Sequence, residues 1–336
     1  MKKKLLQQIA SCLKENKSFL IVTHVNPDGD ALGSMLALGR VIGNMGKTVF
    51  YYCEGPVPDK YLFLPGVDRI MQTPDEGLKT DVVVIVDSGD IERTGNAAGV
   101  ISQADKVITI DHHITNNIVC DISLVDSTAC ASAEIVYDLI LEMKQPIEWP
   151  VAMNIYTAII SDTGSFRFAS TNRAAFRICE QMVECGVNPH EIAEQLYSTY
   201  SMERLKLLSL VLDSLEISSN REFALVTATK EMMTRTGTDH ADINGIVDYP
   251  RFIKGIVFAG LIHEVDSEKF HISLRSKECL DVSQIAKRFG GGGHTNAAGF
   301  PYQGKLEVIK NELFRIAEMG HGPWTTDHNG SSSVVH

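Results

Sequence analysis

The run VVVIV at positions 82–86 constrains the fold more than any other feature of the sequence. Successive side chains of a strand point to opposite faces, so a strand that is apolar throughout must be covered on both faces. Phe19 to Val25, Thr48 to Tyr52 and Lys106 to Ile110 read as further strands, and the VVVIV strand reaches back to Asp81. Between the first two lies ALGSMLALGRVIGNMG, an apolar-striped helix starting at Ala31 and ending near Gly46, where glycine suits a left-handed cap. Strand, helix, strand in this order predicts a parallel sheet flanked by helices.

The chain has 336 residues, more than the ~100–150 of an ordinary domain, so two domains are expected. The first, residues 1–187, carries the mainly parallel sheet. The stretch 188–217, NPHEIAEQLYSTYSMERLKLLSLVLDSLEI, reads as a helical linker. Residues 218–319 read as a smaller α+β domain, with strands at Phe223 to Ala228 and Phe270 to Ser276 and helices near 281–289 and 305–317. Residues 320–336, polar and glycine-rich, are expected to be a disordered tail. The fold class is therefore α/β, with the active site expected in the cleft between the domains.

Lysine and arginine number 31 against 42 acids, a formal charge of −11 that argues against coating long nucleic acid. Any anionic partner should be small and locally gripped. Seven scattered cysteines with no C-x-x-C pair fit reduced thiols. The basic start MKKKLLQQIASCLKENK is interrupted by polar residues like an amphipathic helix, unlike a signal peptide, and no stretch is apolar over the ~18 residues of a membrane span. The expectation is a cytoplasmic protein with no membrane partner; the sequence leaves a homodimer open.

Ligands of open parallel sheets bind beyond the carboxyl ends of the strands. Polar residues stand there repeatedly: His24, Asp28 and Asp30 in THVNPDGDA, then DSGD from Asp87 to Asp90, then Asp111, His112 and His113. A fourth group, SDTG with Asp162, follows the helix NIYTAII. Each piece alone has a bland reading, NPDGD being a sound turn. Together they are hard to explain without a ligand, because so many unpaired polar groups converging in a dry core cost several kcal/mol. Carboxylates and imidazoles without thiolates point to Mn²⁺, Mg²⁺ or Co²⁺, with Zn²⁺ a further option. The donors suffice for two ions bridged by a carboxylate such as Asp87, which would activate water and neutralise a phosphoryl oxygen.

In order and spacing, H-x-x-x-D-x-D, D-S-G-D, D-H-H and S-D-T-G resemble the DHH phosphoesterase superfamily. The resemblance implies that His24 and Asp28 hold one metal, that Asp30, His112 and Asp162 hold the other, and that Asp87 bridges both. It implies a catalytic His113 that contacts the substrate phosphate or assists proton transfer. Asp111 and Asp90 would orient imidazoles or cap backbone.

In the second domain FHISLRS alternates, with Phe270, Ile272 and Leu274 on one face and His271, Ser273 and Arg275 on the other. Downstream, GGGGHTNAAG from Gly290 lies between the two helices. Glycine there allows backbone N–H groups to line a nest for phosphate or carboxylate. The pair resembles the DHH-associated C-terminal domain, which implies substrate binding by Arg275, Ser276, Gly292, Gly293 and His294. The resemblance spans about 18 to 318 and is nearest the nanoRNase and pAp phosphatase group. It implies hydrolysis of short oligonucleotides, linear dinucleotides and pAp. Competing readings are a cyclic-dinucleotide phosphodiesterase, an inorganic pyrophosphatase, whose C-terminal domain differs, and a nucleotide- or RNA-binding module without catalysis, which would predict eroded metal ligands.

Overall fold

The computed structural model describes residues 2–319 apart from 74, 76, 199, 278 and 279, so the expected tail at 320–336 lies outside the described residues. The chain divides into two compact units, Met1–Thr199 and Tyr200–His336.

The first unit runs α1 (Lys2–Glu15), β1 (Ser18–Val22), α2 (Gly29–Asn44), β2 (Thr48–Tyr52), β3 (Ile70–Met71), β4 (Val82–Val86), α3 (Ala98–Ile101), β5 (Lys106–Asp111), β6 (Ile122–Val125), α4 (Ser132–Glu142), α5 (Trp149–Asp162), α6 (Arg173–Glu184) and α7 (Pro189–Tyr197). The six strands form one sheet in the order β3-β2-β1-β4-β5-β6, every pair parallel. Val82, Val84 and Val86 enter the core shared with α1, α2, α4 and α5, while Val83 and Ile85 pack on the opposite side with Val100 and Ile101. The VVVIV strand is thus buried on both faces, as its composition requires. The chain reverses its direction of winding between β1 and β4, the switch point at which open α/β sheets bind ligands.

Helix α2 begins two residues earlier than expected because Asp28 caps it, accepting hydrogen bonds from the backbone N–H groups of Asp30 and Ala31 at 2.9 and 3.0 Å. Its glycines let it press against α5. A Cβ on Gly33 would lie 2.4 Å from the Asn154 carbonyl oxygen, and one on Gly29 would lie 2.5 Å from Ser161 Cβ. This contact brings the start of α2, with Asp28 and Asp30, to the end of α5, with Asp162. Gly33→Ala is expected to lower stability by about 1–3 kcal/mol through overpacking, read from the denaturant midpoint.

The second unit runs α8 (Met202–Asp213), β7 (Glu216–Ile217), β8 (Phe223–Ala228), α9 (Lys230–Thr236), α10 (Asp248–Arg251), β9 (Phe258–Asp266), β10 (Lys269–Ser276), α11 (Val282–Arg288), β11 (Gly292–His294), β12 (Ala297–Gln303) and α12 (Leu306–Glu318). Its mixed sheet has the order β11-β12-β10-β9-β8-β7, with β8 and β9 parallel and the other pairs antiparallel. Phe270, Ile272 and Leu274 pack with α11 and α12 on one face. On the other face, α8 and α9 bury Val226, Ala228, Ala259 and Leu261 of β8 and β9. The glycine run is not the loop expected between two helices: it leads into the hairpin β11–β12, and β12 pairs with β10. Among the described residues no helix is long and apolar enough to cross a membrane.

Candidate functional site

Six side chains from five places in the first unit converge at the switch point. His24 follows β1, Asp28 and Asp30 open α2, Asp87 follows β4, His112 follows β5, and Asp162 ends α5. Donor atoms of His24, Asp28 and Asp87 lie within 4.8 Å of one another, as do those of Asp30, His112 and Asp162, and those of Asp87, His112 and His113. Asp87 stands in the middle. Its carboxylate is 3.7 Å from His24 Nε2, 3.6 Å from His112 Nε2 and 3.8 Å from His113 Nδ1. His112 Nε2 is also 3.9 Å from Asp30 and 3.7 Å from Asp162.

These separations are too long for hydrogen bonds, yet they hold polar atoms face to face in a site where His24, Asp30 and Asp87 are buried, His112, His113 and Asp162 half-buried and Asp28 exposed. The backbone contributes to the arrangement: Asp87 has φ of +57°, a left-handed conformation that aspartate tolerates better than most residues.

The surrounding bonds aim the donors inward. His24 Nδ1 donates to the Val25 carbonyl at 2.8 Å, and burial lowers the His24 pKa, so the ring is neutral with its Nε2 lone pair turned toward Asp87. Asp30 is fully buried and accepts from Ser34 Oγ at 2.8 Å and from the backbone N–H groups of Ser132 and Ala133, at 2.6 and 3.0 Å, at the start of α4. Ser132 Oγ donates to Asp87 at 2.8 Å. Asp111 accepts from His113 Nδ1 at 2.6 Å, from the His112 backbone at 2.8 Å and from Asn116 Nδ2 at 2.7 Å. Those bonds hold Asp111 below the usual carboxylate range against the opposing effect of burial. Asp90 instead accepts from the backbone of Glu92 and from Asn117.

The carboxylates strain against one another. Burial, reinforced by Asp30, Asp28 and Asp162, pushes Asp87 well above the carboxylate range; burial and Asp28 raise Asp30; burial and Asp30 push Asp162 up to about 7. For His112, burial works downward, but Asp30 and Asp162 more than offset it and raise the pKa. Clustered carboxylates and a neutral imidazole lone pair with short separations and unfavourable charge form a donor set suited to divalent cations that prefer oxygen and nitrogen.

Sequence reasoning missed Ser132, Ser34 and Asn116, which tie the acidic residues to the frame. Ser132→Ala removes the donor to Asp87 while leaving the backbone donors to Asp30, so Mn²⁺ affinity measured by calorimetry is expected to fall about 10–100-fold with the fold retained.

In the second unit Arg275, Ala297 and His294 lie in one row across β10, β12 and β11, with Gly292 and Gly293 on the same hairpin. Ser276 is buried, its Oγ donating to the Leu280 carbonyl at 2.6 Å. A Cβ on Gly293, at φ +142°, would lie 2.5 Å from the Ala297 carbonyl oxygen, so the hairpin itself requires that glycine, whereas Gly292 faces open space. Arg275 keeps to the face away from Ile272 and Leu274, and burial lowers its pKa.

Comparison with known proteins agrees with this division. The DHH family N-terminal domain matches residues 18–161 and the DHHA1 domain matches residues 224–318. The bifunctional oligoribonuclease and PAP phosphatase NrnA of Thermus thermophilus is 31% identical over 307 residues, 88% of this chain and 90% of that protein. Its namesake in Bacillus subtilis is 26% identical over 285 residues, 84% of this chain and 88% of that protein. The crystal structure of an exopolyphosphatase-related protein from Bacteroides fragilis superposes with a TM-score of 0.90 at 28% identity, covering 94% of this chain and 96% of that one. On these matches the chain belongs to the DHH family and carries a DHHA1 domain in its second unit.

Proposed function

We propose that the protein is a phosphoesterase that hydrolyses short oligonucleotides, linear dinucleotides among them, to mononucleotides, and pAp to AMP and phosphate. One observation carries this reading: three overlapping triads of carboxylates and imidazoles, sharing Asp87 and His112, gathered at the sheet's switch point. The names of the Thermus and Bacillus relatives, oligoribonuclease and PAP phosphatase, support the substrate class.

His24 and Asp28 would hold one divalent ion, Asp30, His112 and Asp162 the other, with Asp87 shared. Mn²⁺ is the first choice and Mg²⁺ or Co²⁺ the alternatives, given oxygen and nitrogen donors without sulfur. When bound, two such ions supply an activated water and charge to offset that on the phosphoryl oxygens. His113, oriented by Asp111, is the candidate to contact the phosphate and pass a proton to the leaving oxygen as the P–O ester bond breaks. Residues 1–187 would carry this chemistry and residues 218–319 the nucleotide grip, through Arg275, Ser276, Gly292, Gly293 and His294. The free cysteines at 12, 53, 120, 130, 179 and 185 support a reducing cytoplasmic setting.

Calorimetric titration of the EDTA-treated protein with Mn²⁺ tests the site. Two ions per chain, with binding crippled in Asp162→Ala, is the expected result. Absence of Mn²⁺ binding, or full binding by Asp162→Ala, would contradict it.

A further inference from the structure

Arg275 does not stand alone on its side of the sheet. The short helix α10 packs beside β9 and β10, and its first residue, Asp248, accepts from Arg251 Nη2 at 2.9 Å. Arg275 feels the same two groups: burial lowers its pKa, Asp248 raises it and Arg251 lowers it further. One carboxylate thus acts on both guanidinium groups.

Next to these cations stands a line of rings. The Arg251 guanidinium carbon is 5.8 Å from the Phe252 ring centre, and Phe252 meets Tyr249 edge-on at 6.4 Å and 69°. Tyr249 shares a hydrogen bond with Tyr200, whose ring carries Arg204 at 3.9 Å. Phe252 is 60% exposed. A single exposed apolar residue is ordinary on a protein surface. Aromatic rings interleaved with arginines are different, because bases stack on rings while guanidinium groups follow the phosphates.

We infer that Arg251 and Phe252 form a second nucleotide subsite beside Arg275, in which Arg251 takes the phosphate beyond the terminal nucleotide and the Phe252 ring stacks the base attached to it. The inference rests on the proposed function and deepens it. Both side chains become specificity-determining residues: a nucleotide with one base and two phosphates engages Arg251 alone, whereas a dinucleotide also fills the ring surface. Tyr249 and Asp248 act as positioning residues for the two.

The test compares pApA with pAp on the full-length protein and its Phe252→Ala and Phe252→Trp variants. Phe252→Ala is expected to raise KM for pApA roughly 5- to 100-fold while changing KM, or Ki, for pAp by less than about twofold. Phe252→Trp should retain the wild-type preference, and kcat should stay constant throughout. An unchanged KM for pApA, or an equal rise for both nucleotides, overturns the subsite while leaving the proposed function intact. So does light scattering showing that Phe252→Ala breaks an assembly, which would make this surface a contact between copies. Failure of the wild-type protein to hydrolyse either nucleotide overturns the proposed function and the subsite with it.

Discussion

Asp87→Asn is expected to lower kcat for nucleotide hydrolysis by about 10³- to 10⁴-fold, the equivalent of several kcal/mol of charge stabilisation. Among the described residues, Asp87 is the only acidic side chain within 4 Å of His24, His112 and His113 together. Asparagine tolerates the left-handed backbone at this position and keeps the side chain's shape, so the substitution tests charge and not folding. Stability should move the opposite way. Burial and the neighbouring carboxylates push Asp87 and Asp162 above their ordinary value of 3.8, Asp162 to about 7. A carboxyl whose folded pKa is raised costs nothing below its unfolded pKa and costs increasingly as pH climbs toward the folded one. EDTA-treated wild type should therefore lose stability between pH 4 and 7, and Asp87→Asn should lose less. Mn²⁺ should raise the melting temperature of wild type far more than that of the variant. Melting curves at pH 5 and pH 8, with EDTA and with Mn²⁺, check both statements.

Arg275→Ala should act on binding and leave the metals alone. A hydrogen-bonded charge contact to phosphate is worth about 1.5–3 kcal/mol, which corresponds to a rise in KM of roughly 10- to 150-fold with a smaller change in kcat. Mn²⁺ binding should match wild type, because Arg275 belongs to the second unit and none of the clustered donors does. Lysine should restore little, since it lacks the planar fork that addresses two phosphate oxygens at once. Steady-state kinetics on pApA beside a Mn²⁺ titration separates the effects; a loss of Mn²⁺ binding would contradict the assignment.

Much of the first unit was legible because hydrophobic periodicity decides it. VVVIV can only be a doubly covered strand, and its parallel neighbours put His24, Asp87 and His112 at one end of the sheet. The bonds that hold the cluster were not legible. Asp30 is held partly by backbone N–H groups of Ser132 and Ala133, which carry no residue signature, and Ser132 reaches Asp87 only through tertiary packing. A serine opening a helix was the sole local signal. The hairpin at 292–303 escaped notice for a related reason: glycine and alanine show no strand alternation, and pairing with β10 makes the strand. Conversely, Phe270 to Ser276 alternates so cleanly that the side carrying Arg275 followed directly.

The central claim is that this metal-binding cluster serves a short nucleotide. The most direct test offers the purified protein, with Mn²⁺, pApA, pAp, a cyclic dinucleotide and pyrophosphate side by side and follows products by chromatography. The account predicts AMP from pApA and pAp, abolished by EDTA, with the cyclic dinucleotide and pyrophosphate cleaved far more slowly. Hydrolysis of pyrophosphate alone, or turnover of pApA undiminished by EDTA, would contradict it.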